Sequence, residues 1–351
     1  MKIKSFLIEV ALKKRHLVKV HQVPVKELED RVRKRKIWID KIPEGEPIHL
    51  LSAVDGSRNK KTYAGYVVYA VGGCSVRFKE GVMDGEDYTA EIDLLKPEEY
   101  SDSRLRVLMG IVEAKQALRE IENSSEVVLL DGSIVGDFLR PVVFNTEISD
   151  RGKEWALNSF EKLKEKFDLN RINSKDFYGE AEGRFSGREF PVVVGFLEYL
   201  EYLYSYYKLT EEGKGKIISV SKRSNSWSYK LDPILPDIAV LNLINLPPGY
   251  SQPYKSDLKD KKFSFPGEFE ELLSEKEFTT FYFKLKRGIY KCETDMDVED
   301  ALKILSYYEV DGYPFPLKEA HVRVKITNED IEEIVKILRH RGITGREALG
   351  E

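Results

Sequence analysis

The chain has little sulfur and no membrane-length apolar run. Its 351 residues include two cysteines, Cys74 and Cys292, four methionines, three tryptophans and five histidines. Two cysteines so far apart exclude a disulfide scaffold and a Cys-rich zinc module, and they suit a reducing compartment. No apolar stretch approaches the roughly 20 residues of a spanning helix. Met1-Lys2-Ile3-Lys4 leads into no clean apolar segment with a small-residue cleavage site, so no secretory leader is expected. Internal repeats, Pro-rich linkers and low-complexity tracts are also missing. A cytoplasmic α/β protein with one main domain and appended segments is expected, and the length suffices for a large core. A charged fraction of 33% with so few Cys and Met residues also suits a heat-adapted source.

The net charge of −4 hides an asymmetry. Residues 1–41 hold 13 Lys and Arg against 5 Asp and Glu, a local +8, so the rest carries −12. Apolar positions are interleaved in the basic part as in amphipathic helices. It reads either as a solvated helical face or as an arm for phosphates or a partner. Three segments are expected: a basic arm over 1–47, the main domain over 48–340 and a tail over 341–351.

Residues 48–54 form an apolar run ending in Asp55-Gly56-Ser57, read as a buried strand and a turn. Residues 63–73 and 75–83 read as two more strands of an antiparallel meander. Helical spacing covers 101–123, with Ser101 or Ser103 as cap. Residues 126–130 are a second apolar run, ending in Asp131-Gly132-Ser133. Helical patterns follow at 151–167 and 196–209, and a strand at 215–220. Residues 247–280 look irregular. A strand is expected at 281–291, a helix at 298–308, a strand at 321–326 and a helix from 328.

Two Asp-Gly-Ser triplets, each closing an apolar strand, suggest paired carboxylates at one sheet edge. Carboxylates held together repel, and a divalent ion relieves that repulsion while binding phosphate oxygens. Local Asp-Gly turns are the competing explanation. A third carboxylate is expected from the intervening helix. Glu113 lies mid-helix, and the small residues Gly110 and Ala117 on its face would let that turn approach the sheet; Glu120 and Glu122 are rivals. Asp on strand one, Glu on the next helix and Asp on strand four are the set that a ribonuclease-H-like mixed sheet, flanked by helices, offers to two-metal phosphodiester chemistry. A further ligand is sought later in the chain. Asp237 opens a helix, where Asp is also routine; His321 opens an expected strand. Lys222 is placed to meet a phosphate or solvent.

These residues together resemble the NurA family of archaeal and bacterial nucleases. The likeness rests on Val54-Asp55-Gly56-Ser57, Glu113, Leu130-Asp131-Gly132-Ser133, Ser221-Lys222-Arg223-Ser224, Pro236-Asp237 and Pro316-Leu317-Lys318-Glu319-Ala320-His321. The resemblance implies a ribonuclease-H-like core of the PIWI type and a homodimer around a DNA channel. It implies Mn²⁺, or Mg²⁺, with two ions at the site, and action on single-stranded DNA and on 5′ ends of duplex DNA. It also implies work with a HerA-type hexameric translocase in end resection. By that likeness Asp55, Glu113 and Asp131 are metal ligands, with Asp237 and His321 competing for the remaining position.

Two other readings compete. One is a non-catalytic nucleic-acid-binding module on the same fold. The other is a carboxylate-pair glycosidase, for which the aromatics would line a sugar site. Tyr250, Tyr254 and Phe265 could stack bases, or pack as core.

Overall fold

Side chains alternate across a strand, so one buried on both faces reads as an unbroken apolar run. Residues 127–130 are such a run, and they lie at the middle of the sheet. The computed structural model describes residues 3–15, 24–139, 147–259 and 264–338. It begins with α1 (Ile3–Lys14), α2 (Val25–Lys34) and β1 (Trp38–Ile39). Three long strands follow: β2 (Leu50–Tyr63), β3 (Tyr66–Lys79) and β4 (Val82–Leu95). Next are α3 (Ser101–Glu122), β5 (Val127–Asp131), α4 (Ile134–Phe138), α5 (Asp150–Glu165), α6 (Tyr178–Arg184) and α7 (Glu189–Glu212). Then come β6 (Ile217–Ser221), α8 (Asp237–Leu243), β7 (Gly249–Ser251), β8 (Tyr254–Asp257) and α9 (Phe269–Ser274). The hairpin β9 (Glu277–Lys284) and β10 (Tyr290–Thr294) leads to α10 (Val298–Tyr307), β11 (Glu309–Val310) and β12 (Tyr313–Pro314). Helices α11 (Phe315–Val324) and α12 (Asn328–Ile337) complete the described chain. The expected tail, 341–351, lies outside the described residues.

Ten strands form one mixed sheet in the order β1-β7-β9-β10-β6-β5-β2-β3-β4, with β8 on β9. β2, β5 and β6 are parallel neighbours, and β2, β3 and β4 form an antiparallel meander. Val54, Val128 and Leu130 face a core shared with α3, α5 and α7. Leu51, Ala53, Val127 and Leu129 face the opposite core, with α10 and α11. Each buried Leu, Ile or Val adds roughly 1.5–3 kcal/mol of transfer free energy. Cys74 and Cys292 are free and buried in the second core. No helix among the described residues is long and apolar enough to cross a membrane.

The basic arm is partly structural. Leu28 and Val32 of α2 pack with Tyr229, Leu231 and Ile238. Arg31 donates to the Leu231 carbonyl, and Arg35 Nη1 to that of Tyr229 at 2.6 Å. Helix α1 buries no residue.

Several expectations need correction. Asp55-Gly56-Ser57 is no turn: β2 runs through it to Tyr63. Past Val54 the strand outreaches β5, pairs only with β3 and turns polar, which masked its length. Strand β4 alternates exposed and half-buried residues at the sheet edge, so no apolar run announced it. Residues 281–291 hold parts of two strands that reverse near Gly288, where φ is +68°. Residues 321–326 hold no strand. His321 belongs to α11, where Pro316 sits in the first turn and Leu317, Ala320 and Val324 are buried at helical spacing. The alternation of Val322 and Val324 with His321 and Arg323 mimicked a strand, but Val322 is exposed. Helix α3 carries no side-chain cap; a 3₁₀ turn over Glu98–Tyr100 leads into it, and Ser101 Oγ accepts from Lys60 Nζ at 2.8 Å.

Gly110 serves a helix contact rather than the sheet. A Cβ there would lie 2.3 Å from Tyr202 Cε2 on α7. Gly110→Ala is expected to cost about 1–3 kcal/mol through overpacking, read as a lower urea midpoint. An unchanged midpoint would remove this account of the glycine.

Candidate metal centre

Strands β2 and β5 pair in parallel with Val54 opposite Leu130, so Asp55 and Asp131 come next at the same edge. By alternation both follow the row that faces α11. Helix α11 crosses that face and presents His321. One ligand atom from each of Asp55, Asp131 and His321 lies within 4.8 Å of the others. His321 Nδ1 lies 2.7 Å from Asp55 Oδ2, within hydrogen-bond distance, and 3.7 Å from Asp131 Oδ2.

Burial, and then the charge of Asp131, push the Asp55 carboxyl above its ordinary value. The His321 contact and the Gly56 amide offset part of this rise. Lys222 Nζ donates to Asp131 Oδ2 at 2.7 Å. Two oxygen donors and an imidazole, with a flanking ammonium, are a donor set that fits a divalent ion such as Mn²⁺.

Glu113 stands beside this trio rather than in it. Gly56 points to the opposite face, and a Cβ there would lie 3.0 Å from Glu113 Oε2 and 3.1 Å from Met109 Cγ. The glycine of the first triplet therefore makes room for the helix carboxylate. Glu120 serves the core: it accepts from Ser52, Ser75 and Arg77. Glu122 ends α3 and is exposed. Asp237 is fully buried and accepts from the amides of Tyr229 at 2.8 Å and Leu231 at 3.5 Å. It ties down the 229–231 loop and is outside the trio.

Three other contributors join the site, of which the sequence motifs held only Ser221. Tyr313 Oη donates to Asp131 Oδ1 at 3.4 Å, and its ring lies 4.8 Å from Lys222 Nζ. Burial and the two aspartates push its hydroxyl pKa far up, so it stays a donor. Ser221 Oγ donates to the Gly132 carbonyl at 2.6 Å, fixing the turn after Asp131. Glu293 accepts from Ser133 Oγ at 2.8 Å and from the Val135 amide at 3.2 Å. All three are long-range contacts. Ser133 also caps α4 through the Gly136 amide, so the second triplet is both a site and a local turn.

Residues 49–326 match the NurA domain. The chain belongs to the NurA family. It is 28% identical over 295 residues to the "DNA double-strand break repair nuclease NurA" of Saccharolobus solfataricus, covering 82% of this chain and 79% of that one. A second relative of the same description, from Sulfurisphaera tokodaii, is 27% identical over 289 residues, covering 82% and 80%. The fold is similar to a crystal structure of "NurA bound to dAMP and manganese", with a TM-score of 0.71, 18% identity and 99% of each chain covered. The mixed sheet with helices on both faces is thus that of a NurA-family enzyme.

Proposed function

We propose that the chain is a divalent-metal-dependent deoxyribonuclease acting on DNA ends in double-strand break repair. The carrying observation is the convergence of Asp55, Asp131 and His321 within 4.8 Å, where the parallel pairing of β2 with β5 stops, in a NurA-family chain. Asp55, Asp131 and His321 hold the metal, and Glu113 adds a carboxylate from the α3 side. His321 takes the position for which Asp237 competed, because the Asp237 carboxylate is committed to backbone amides.

Mn²⁺ or Mg²⁺ held by Asp55, Asp131 and His321, with Glu113 beside them, would supply a water of lowered pKa and positive charge for the leaving oxygen. The protein's own groups set the frame. Asp55 and Asp131 place two carboxylates where cations are wanted. Lys222 supplies a positive charge beside Asp131 for a non-bridging phosphate oxygen. Tyr313 holds Asp131 in place by donating to its far oxygen.

The same reading carries finer assignments. The order β4-β3-β2-β5-β6 followed along the sheet supports a ribonuclease-H-like, PIWI-type core spanning 48–340, with 1–47 and 341–351 as additions. The substrates are single-stranded DNA and 5′ ends of duplex DNA. The protein works in the cytoplasm as a homodimer with a HerA-type translocase. Helix α1, with Ile3, Phe6, Leu7 and Leu12 exposed, offers an apolar surface for such assembly.

The test is cleavage of 5′- and 3′-labelled single- and double-stranded DNA across a metal series. Hydrolysis with Mn²⁺, abolished by EDTA, is expected. Metal-independent DNA binding with no cleavage would favour the non-catalytic reading instead. EDTA-insensitive sugar hydrolysis would favour the glycosidase.

A further inference from the structure

Next to the metal centre is a cavity of about 1010 Å³, at the upper end for ligand pockets. Its walls begin at Ser133, two residues past Asp131, and at Arg223, the residue after Lys222. Its character is opposite to that of the acidic centre. Three cations line it, Arg223, Lys255 and Lys291, against one carboxylate, Asp257, and the rest is rich in serine hydroxyls.

The three cations differ. Lys291 is buried and hydrogen-bonded to Glu293, so its charge is already neutralised within the protein. That pair also holds the turn after Asp131, since Glu293 accepts from Ser133 and Val135. Lys255 pairs with Glu277 at 3.1 Å on the surface, a contact of little strength. Arg223 is exposed and makes no ion pair among the described residues. Arg223 and Lys255 therefore remain available to an anion.

One aromatic ring borders the same space. Tyr254 is braced at 86° against Tyr229, with its hydroxyl 3.4 Å from Ser226 Oγ. The other two stacking candidates are core residues. Phe265 is buried in the first core, and half-buried Tyr250 packs edge-on to Phe281.

We propose that this cavity seats a single nucleic-acid strand beside the metal centre, with Arg223 and Lys255 on its phosphates and Tyr254 as a stacking surface for a base. The proposal rests on the nuclease reading of the adjoining centre. Cations and hydroxyls position a phosphate backbone without reading sequence. Stacking on Tyr254 requires an unpaired base, which selects a single strand over a duplex.

The test measures binding of a fluorescein-labelled single strand of about 12 nucleotides by anisotropy in EDTA, so that binding is read without cleavage. Arg223→Ala/Lys255→Ala is expected to weaken binding at least about tenfold, with a salt slope shallower by about 1.4 for two lost phosphate contacts. Tyr254→Leu is expected to weaken it at least about fivefold with the slope unchanged. Lys153→Ala/Lys162→Ala removes the same charge from exposed positions of α5 outside the cavity and should stay within about twofold. Parental affinity and slope in the Arg223/Lys255 variant, or an equal loss in the α5 control, would overturn the proposal. So would a blunt duplex that binds more tightly than the single strand through the same residues. If the parent binds the strand in EDTA but never cuts it with Mn²⁺, the nuclease reading fails while the cavity is supported as a binding site.

Discussion

Asp131→Asn, like Asp55→Asn, lowers Mn²⁺-dependent hydrolysis of single-stranded DNA by at least about 10³-fold, because each removes a charged oxygen from the ion-binding group. The loss should not come from unfolding. Asp55 and Asp131 repel each other in the metal-free protein, and burial of Asp55 adds to the cost. Asp55→Asn removes that repulsion, so its melting temperature in EDTA should equal or exceed the parent's. Saturating Mn²⁺ should stabilise the parent by about 2.7 kcal/mol at a hundredfold excess over Kd, and the variants far less. Two results would count against the assignment: full activity in either variant, or an unchanged metal-induced stabilisation in both.

The second large effect concerns stability. Lys115 is 1% exposed, and its ammonium donates to the Asp168 and Arg171 carbonyls, Asn173 Oδ1 and Glu201 Oε1 at 2.6–2.9 Å. Glu201 is fully buried as well and accepts from the Asn173 and Ser174 amides. This pair joins α3 to α7 and clamps the 168–174 segment. Lys115→Met leaves Glu201 buried with its cation gone, and should cost about 3–5 kcal/mol. Lys115→Met/Glu201→Gln should recover a substantial part, since no uncompensated charge then remains. Urea titration of the three proteins decides this. A single-variant cost below about 1 kcal/mol would show that the pair is not the buried, dry contact described.

How far the fold was legible depended on whether each element was apolar in its own right. β5, and β2 as far as Val54, are buried on both faces and read as continuous runs. Helix α3 was read almost to the residue, since most of its surface is covered. Strand β4 and the outer half of β2 were invisible because a half-solvated strand looks like polar loop. Helix α11 was misread because valines two apart favour a strand locally, while packing of Leu317, Ala320 and Val324 on the sheet favours a helix. Helix α7 is legible only from its middle onward, since its start carries Pro191 and a run of three valines, 192–194.

The paired aspartates were legible for a physical reason. An acid that closes a fully buried apolar run is costly unless it meets a cation or donor. That pattern can be written in a dozen residues, and it is present twice. Which later residue joins the pair is not local. Asp237 and His321 were equivalent candidates along the chain. They differ only because backbone amides enclose the first, while α11 carries the second across the face on which Asp55 and Asp131 project. The roles of Tyr313 and Glu293, and the cavity flanked by Arg223 and Tyr254, likewise come from segments more than a hundred residues apart in some cases. Strand chemistry and burial are encoded in neighbouring residues; a binding site is made of distances between elements, and those exist only once the sheet has closed on its helices.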